Sequence, residues 1–225
     1  MNIEIWLSGF LFLLILVLQI AMAAFGYILE PTPKNYESDD KLQKFNKDPK
    51  KFKIGVGLAL IEHFCVITLA IMLFFVIGPY SILFGIVLIM FRVAEGAIQV
   101  YIEKDYWGLL NLAKKYSVAS VTEKKSLMDL YRSILKTKST RFTFAMIGWS
   151  VGTFAFSIVL VTYGLIPPFI GWLGIVTSIL IGFANGMILV KPDVKFYGGL
   201  SSISGLLAIL FELLVGGWLL FFGIS

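Results

Sequence analysis

Charge is scarce in this 225-residue chain: 15% of its residues are Asp, Glu, Lys or Arg, against about 25% in an ordinary soluble domain. Cysteine and histidine are scarcer still, with one of each, Cys65 and His63. A single cysteine excludes an intrachain disulfide and says nothing about redox compartment. A single histidine excludes bis-histidine haem ligation, and no Glu-x-x-His spacing accompanies it, so neither a metal nor a cofactor is expected. There is no nucleophile–His–acid set, phosphate-cradling glycine loop or nucleotide fingerprint, which makes an enzyme the less favoured expectation. The formal charge of +5 is gathered into a few short stretches, and no nucleic-acid partner is expected.

What fills the chain instead is apolar: 58% of residues are hydrophobic and the mean hydropathy is +0.88. Glycine (21) and phenylalanine (20) are abundant, as suits helices that approach closely in lipid. The apolar runs are continuous and do not alternate, which argues against a β-barrel. They predict an all-α, polytopic membrane protein, a single membrane domain over 1–225. Six transmembrane helices are expected, over about 5–29, 54–77, 82–102, 142–163, 169–190 and 200–222. The first lacks the positive n-region of a cleaved signal and is expected to be retained, although Ala21-Met22-Ala23 loosely resembles a cleavage site. Gly78-Pro79-Tyr80-Ser81 and Gly164-Leu165-Ile166-Pro167-Pro168 read as tight turns.

Three polar connections remain: a linker over 30–53 with Pro31, Pro33 and Pro49, a long stretch over 103–141, and a short loop over 191–199. Eighteen of the nineteen basic residues lie in these three. The positive-inside rule therefore predicts a cell-membrane protein with both termini outside and the three connections in the cytoplasm. Trp6, Tyr80, Tyr163 and Trp218 fall at the expected outer boundary, and Tyr27, Tyr101, Trp107 and Tyr197 at the inner one. The 103–141 stretch reads as a cytoplasmic amphipathic helical hairpin between helices three and four. Tyr106, Leu109, Leu110, Ala113 and Tyr116 form one apolar stripe, and Leu127, Leu130, Tyr131, Ile134 and Leu135 the next, with Ser120 and Glu123 as a capping box between them. Such a hairpin rests on anionic inner-leaflet lipids or, in the sharper reading, docks a protein partner.

Arg92 is the nineteenth basic residue, and it lies inside an apolar run. An ionisable residue there is costly and is either held by partners or used by a mechanism. Arg92, Glu95 and Gln99 share one helical face. Counting helical rise from the outer boundary puts Glu212 at ~12 Å, Arg92 at ~15 Å, Glu62 at ~18 Å, Glu95 at ~20 Å and Gln19 at ~21 Å, with Gln99 and Asn185 deeper. Helices two, three and six are therefore expected to meet in a polar centre, to which helix one adds Gln19. Three carboxyls facing one arginine leave one acid to be protonated, or to pair with His63 or a bound cation. The bland alternative is a network that only glues helices together, with His63 bonding a neighbouring helix. Gly171, Gly174, Ser178, Gly182 and Gly186 form a small-residue stripe for close helix packing. Ser150, Thr153 and Ser157 are placed for hydrogen bonds across helices or to their own backbone. Asn185, between Ala184 and Gly186, is a candidate for loosening helix five.

Three short motifs carry a resemblance. Phe91-Arg92-Val93-Ala94-Glu95 resembles the Arg-x-x-Glu signature of domain-of-unknown-function 4386, an uncharacterised prokaryotic family. Leu165-Ile166-Pro167 followed by Gly171-Trp172-Leu173-Gly174, and Phe211-Glu212 followed by Trp218-Leu219, resemble its turn into helix five and its last helix. Members often carry a basic residue after the Leu-Ile-Pro proline, where this chain has Pro168. The resemblance covers nearly the whole chain and implies a six-helix fold without an established activity. The residues favour binding or transport of a small or lipid-like molecule, proton-coupled through a glutamate, with Arg92 facing an anionic group. Helices one to three and four to six run in opposite orientations, as an inverted repeat would. A non-catalytic membrane subunit comes second, and a lipid-modifying enzyme using Glu62 and His63 comes last.

Overall fold

A computed structural model describes residues 2–27 and 39–224; the expected end of helix one and the linker residues 30–38, with Pro31, Pro33 and Lys34, lie outside them. Among the described residues all regular structure is helical: α1 (Ile3–Ala24), α2 (Asp39–Lys47), α3 (Pro49–Ile77), α4 (Ile82–Trp107), α5 (Leu109–Val118), α6 (Val121–Thr162), α7 (Pro168–Val190) and α8 (Lys195–Phe221). Six helical stretches are long and apolar enough to cross a membrane: α1, α3, α4 with its continuation α5, α6, α7 and α8.

Several boundaries differ from expectation: α4 runs on to Trp107 rather than ending at Ile102, and α8 starts at Lys195 rather than Leu200. α3 starts at Pro49 rather than Ile54, because a proline at the first helical position sacrifices no needed N–H. The Asp48 carboxylate accepts the Lys51 N–H at 2.9 Å and supports this start. The expected helix four does not begin at Phe142. It is the second half of α6, a single 42-residue helix. Nothing between Val121 and Ile147 breaks a helix, since that stretch holds neither glycine nor proline. Both expected turns are present. α3 ends at Ile77 before Gly78-Pro79-Tyr80-Ser81, and Gly164 takes the left-handed conformation (φ +62°) that closes α6 ahead of Pro167 and Pro168.

The chain divides into two compact units. The first takes Met1–Val17, His63–Ala97 and Thr143–Ser225. Its core holds Phe12, Leu69, Leu88, Phe156, Leu160 and Phe211, all buried. Lipid tails are as apolar as leucine, so association of such helices depends on fit more than on the hydrophobic effect. Small residues supply the fit. A methyl group on Gly216 of α8 would lie 2.7 Å from Cβ of Phe12 in α1, and one on Gly9 would overlap the Leu220 backbone. The expected stripe on α7 packs in part: Gly171 abuts Val161, Gly174 abuts Ser157 and Phe211, and Gly182 abuts Ser150, whereas Gly186 has open space around it.

The second unit takes Leu18–Glu62 and Ile98–Phe142. Here α2 packs on α5, and Leu42, Phe45, Phe52, Tyr106, Tyr131 and Leu135 share one core. The expected capping box exists: Glu123 Oε2 accepts the Ser120 N–H at 2.8 Å and its hydroxyl at 2.7 Å. Of the expected second stripe, Tyr131 and Leu135 are fully buried, but Leu130 is exposed and Met128 is buried in the core instead. The apolar face of α5 (Leu109, Leu110, Leu112, Ala113, Tyr116) is filled by protein within this unit.

The contact at Gly216 yields a paired test. Gly216→Ala is expected to lower stability by about 1–3 kcal/mol through overpacking. Gly217→Ala, one residue on with nothing within 4 Å of its methyl, should be neutral or stabilising. Thermal unfolding midpoints of the two variants in one detergent check this.

Candidate functional site

The site is built on α4. Its apolar first half commits the chain to a helix, and Arg92 and Glu95 follow one turn apart without disturbing it, both residue types being good helix formers. Arg92 Nη1 donates to Glu95 Oε2 at 2.6 Å, with Arg92 4% and Glu95 2% exposed. Burying either ion alone would cost several kcal/mol, so each makes the other tolerable. The pair closes within one helix, and this particular bond ties no second helix to α4.

The second helix arrives by another route. On α6, Gly148 and Gly152 lie one turn apart and face α4. A methyl group on Gly152 would stand 2.6 Å from Cγ of Arg92, and one on Gly148 would stand 3.0 Å from the carbonyl oxygen of Phe91. Between these glycines is Trp149, 5% exposed, whose ring centroid lies 5.9 Å from the Arg92 guanidinium carbon. Its Nε1–H donates to Glu212 Oε1 of α8 at 3.0 Å. An ion pair on α4, an indole on α6 and a carboxyl on α8 thus form one buried polar series.

Residues 7–223 match the family described as a domain of unknown function (DUF4386). The chain belongs to that family. No curated protein and no solved structure matches it. The DUF4386 match spans the Arg92–Glu95 motif, the Leu165–Pro167 turn and Glu212 alike.

Within this DUF4386 chain the residues of the expected polar centre fall in both units. Arg92, Glu95 and Glu212 belong to one polar series, and its third helix is α6, through Trp149. Gln19 and Glu62 form their own bond, Nε2 to Oε1 at 3.0 Å, in the other unit, which also holds Gln99. His63 is buried in the first unit. Asn185 donates to the Ile181 carbonyl oxygen at 2.9 Å and to Ser201 Oγ at 3.4 Å, stitching α7 to α8. α7 runs unbroken through that position. Among the described residues no cluster of His, Cys, Asp and Glu is suited to a metal.

Sequence reasoning missed Trp149, Gly148 and Gly152. The signal was present as a Gly-x-x-x-Gly spacing in the fourth apolar run. It also missed Glu103 and Lys138, 2% and 4% exposed, which it had assigned to a polar connection.

Trp149→Phe is expected to cost about 1–3 kcal/mol, because the indole donor to Glu212 is lost while the ring volume is largely kept. Adding Glu212→Gln should recover part of that loss, since an amide is easier than a carboxylate to bury without that donor. A double-mutant cycle on unfolding midpoints checks the coupling.

Proposed function

We propose that this protein binds a small or lipid-like molecule bearing an anionic group and carries it across the membrane, with Arg92 as the anion-facing residue and a glutamate carrying a proton. One observation supports this reading above the others. The Arg92–Glu95 ion pair lies on a single helix, and α6 approaches that helix through Gly148 and Gly152. Small residues thus supply the close approach of α6, and an ion pair kept this deeply buried in an apolar helix marks a functional site by default.

The chemistry follows from the pair. A proton arriving on Glu95 weakens its hold on the guanidinium, whose planar fork is then offered to an incoming carboxylate or phosphate. Loss of that proton restores the internal pair and expels the anion. Trp149 walls one side of the guanidinium and holds Glu212 at a fixed distance, so a second carboxyl stays near without replacing Glu95. The same reading takes the basic connections as cytoplasmic and both termini as outside, with exposed Lys114, Lys115 and Lys125 facing anionic inner-leaflet lipids or a protein partner.

Proteoliposomes filled with a pH-sensitive dye and offered a panel of small organic anions test the reading. Wild-type protein should acidify or alkalinise the lumen with at least one anion, and Arg92→Gln should reduce that rate at least ~10-fold while eluting as a folded species. An Arg92→Gln protein that folds and transports like the wild type removes the reading. One that loses thermal stability in detergent, while no anion moves protons through the wild type, favours a purely structural polar centre.

A further inference from the structure

A second set of buried polar side chains lies in the other unit. Lys138 of α6 points its ammonium at the hydroxyl of Tyr27, just beyond α1, and donates to it at 2.8 Å. The Tyr27 hydroxyl in turn donates to Glu103 Oε1 of α4. Lys138 Nζ is 4.0 Å from the Tyr27 ring centroid and 3.9 Å from that of Tyr106, so the amine sits in an aromatic cleft. Phe52 packs on Tyr106, with ring centroids 5.5 Å apart, and extends the wall. Tyr27 itself is only half-buried, which leaves the set a route to water.

We propose that Lys138, Tyr27 and Glu103 form a buried proton-binding site in which the Tyr27 hydroxyl relays a proton between an amine and a carboxylate. In the relay an N–H bond of Lys138 breaks as an O–H bond forms on Tyr27. The original O–H bond of Tyr27 breaks as one forms on Glu103. An ammonium and a carboxylate become an amine and a carboxylic acid, with no change in net charge. Release of that proton to water leaves the set with one negative charge, and uptake restores it. A direct lysine–glutamate pair would hold the same two helices equally well; the interposed phenol adds a group that both donates and accepts.

Burial, with the Glu103 carboxylate beside it, pushes the Tyr27 phenol well above its ordinary value, so it remains a neutral carrier. The groups that face the relay are Glu103 and Tyr106 from α4, Lys138 from α6 and, acting on Tyr27 through space, Glu62 from α3. The neighbouring Arg141–Asp105 pair, at 2.6 Å, is partly exposed and separate.

The test uses full-length protein in detergent at several pH values. Lys138→Met leaves a buried carboxylate, which is relieved as pH falls and Glu103 takes up a proton. Glu103→Gln leaves a buried ammonium, which is relieved as pH rises and Lys138 loses one. The two variants should therefore lose roughly 5–15 °C of unfolding midpoint near neutral pH and recover in opposite directions. The double variant should fold and show neither trend, which keeps the test decisive if a single variant does not fold. Incorporated 3-fluorotyrosine, with the Tyr27 resonance assigned by its absence in Tyr27→Phe, reports the relay directly. That resonance should move with pH in the wild type between about pH 6 and 10 and stay fixed in the double variant. A wild-type resonance that does not move, or a double variant that keeps the wild-type profile, overturns the proposal.

Discussion

A charge inside an apolar bundle must be answered by protein, and Arg92 is answered by the residue one turn further along its own helix. This constraint organises the first unit. Glu95 neutralises the guanidinium on α4, and the neighbouring helix leaves room beside it. α6 leaves it with Gly148 and Gly152, and the residue held between them is Trp149. An indole is suited to that position, since its face tolerates the cation and its edge carries one N–H for Glu212. The glycine spacing, the aromatic and the third helix's carboxyl are all disposed around one ion pair within one helix.

The fold was largely legible, because a continuous apolar run of about twenty residues has few outcomes other than a crossing helix. The turns at Gly78–Ser81 and Gly164–Pro168 and the cap at Ser120 were legible for the same reason, each depending on a few adjacent residues. The uninterrupted course of α6 was not. The polar run Lys136-Thr137-Lys138-Ser139-Thr140-Arg141 looks like a boundary in hydropathy, yet contains nothing that stops a helix. Polarity marks where a chain meets water, whereas helix breaking requires glycine, proline or a competing cap.

The site was legible to the extent that its expense was visible. Arg92, Glu95 and Glu212 stood out because charge is rare in apolar runs, and the structure joins all three in one polar series. Depth along a helix is readable from sequence, and the Gln19–Glu62 bond joins two residues that helical rise places at nearly the same depth. Glu103 and Lys138 were not legible. Each lies in a stretch that reads as a polar connection and carries no sign of burial, which arises only when the residues just beyond α1, the last turns of α4 and the middle of α6 meet at Tyr27.

The two buried sets place an aromatic with one polar atom between a cation and a carboxyl, and the choice of aromatic separates their chemistry. Tryptophan carries a donor and no acceptor, so Trp149 holds Glu212 as an acceptor and offers no path for a proton between it and Arg92. Arginine stays charged under any ordinary condition, which keeps the cation of the first set fixed. Tyrosine donates and accepts through the same oxygen, and lysine gives up a proton when its surroundings are dry. Lys138, Tyr27 and Glu103 accordingly have at every position a group that can change its protonation, whereas the cation of the first set is fixed. An exchange of Trp149 for tyrosine would not turn the first set into the second, because the permanent charge on Arg92 would remain.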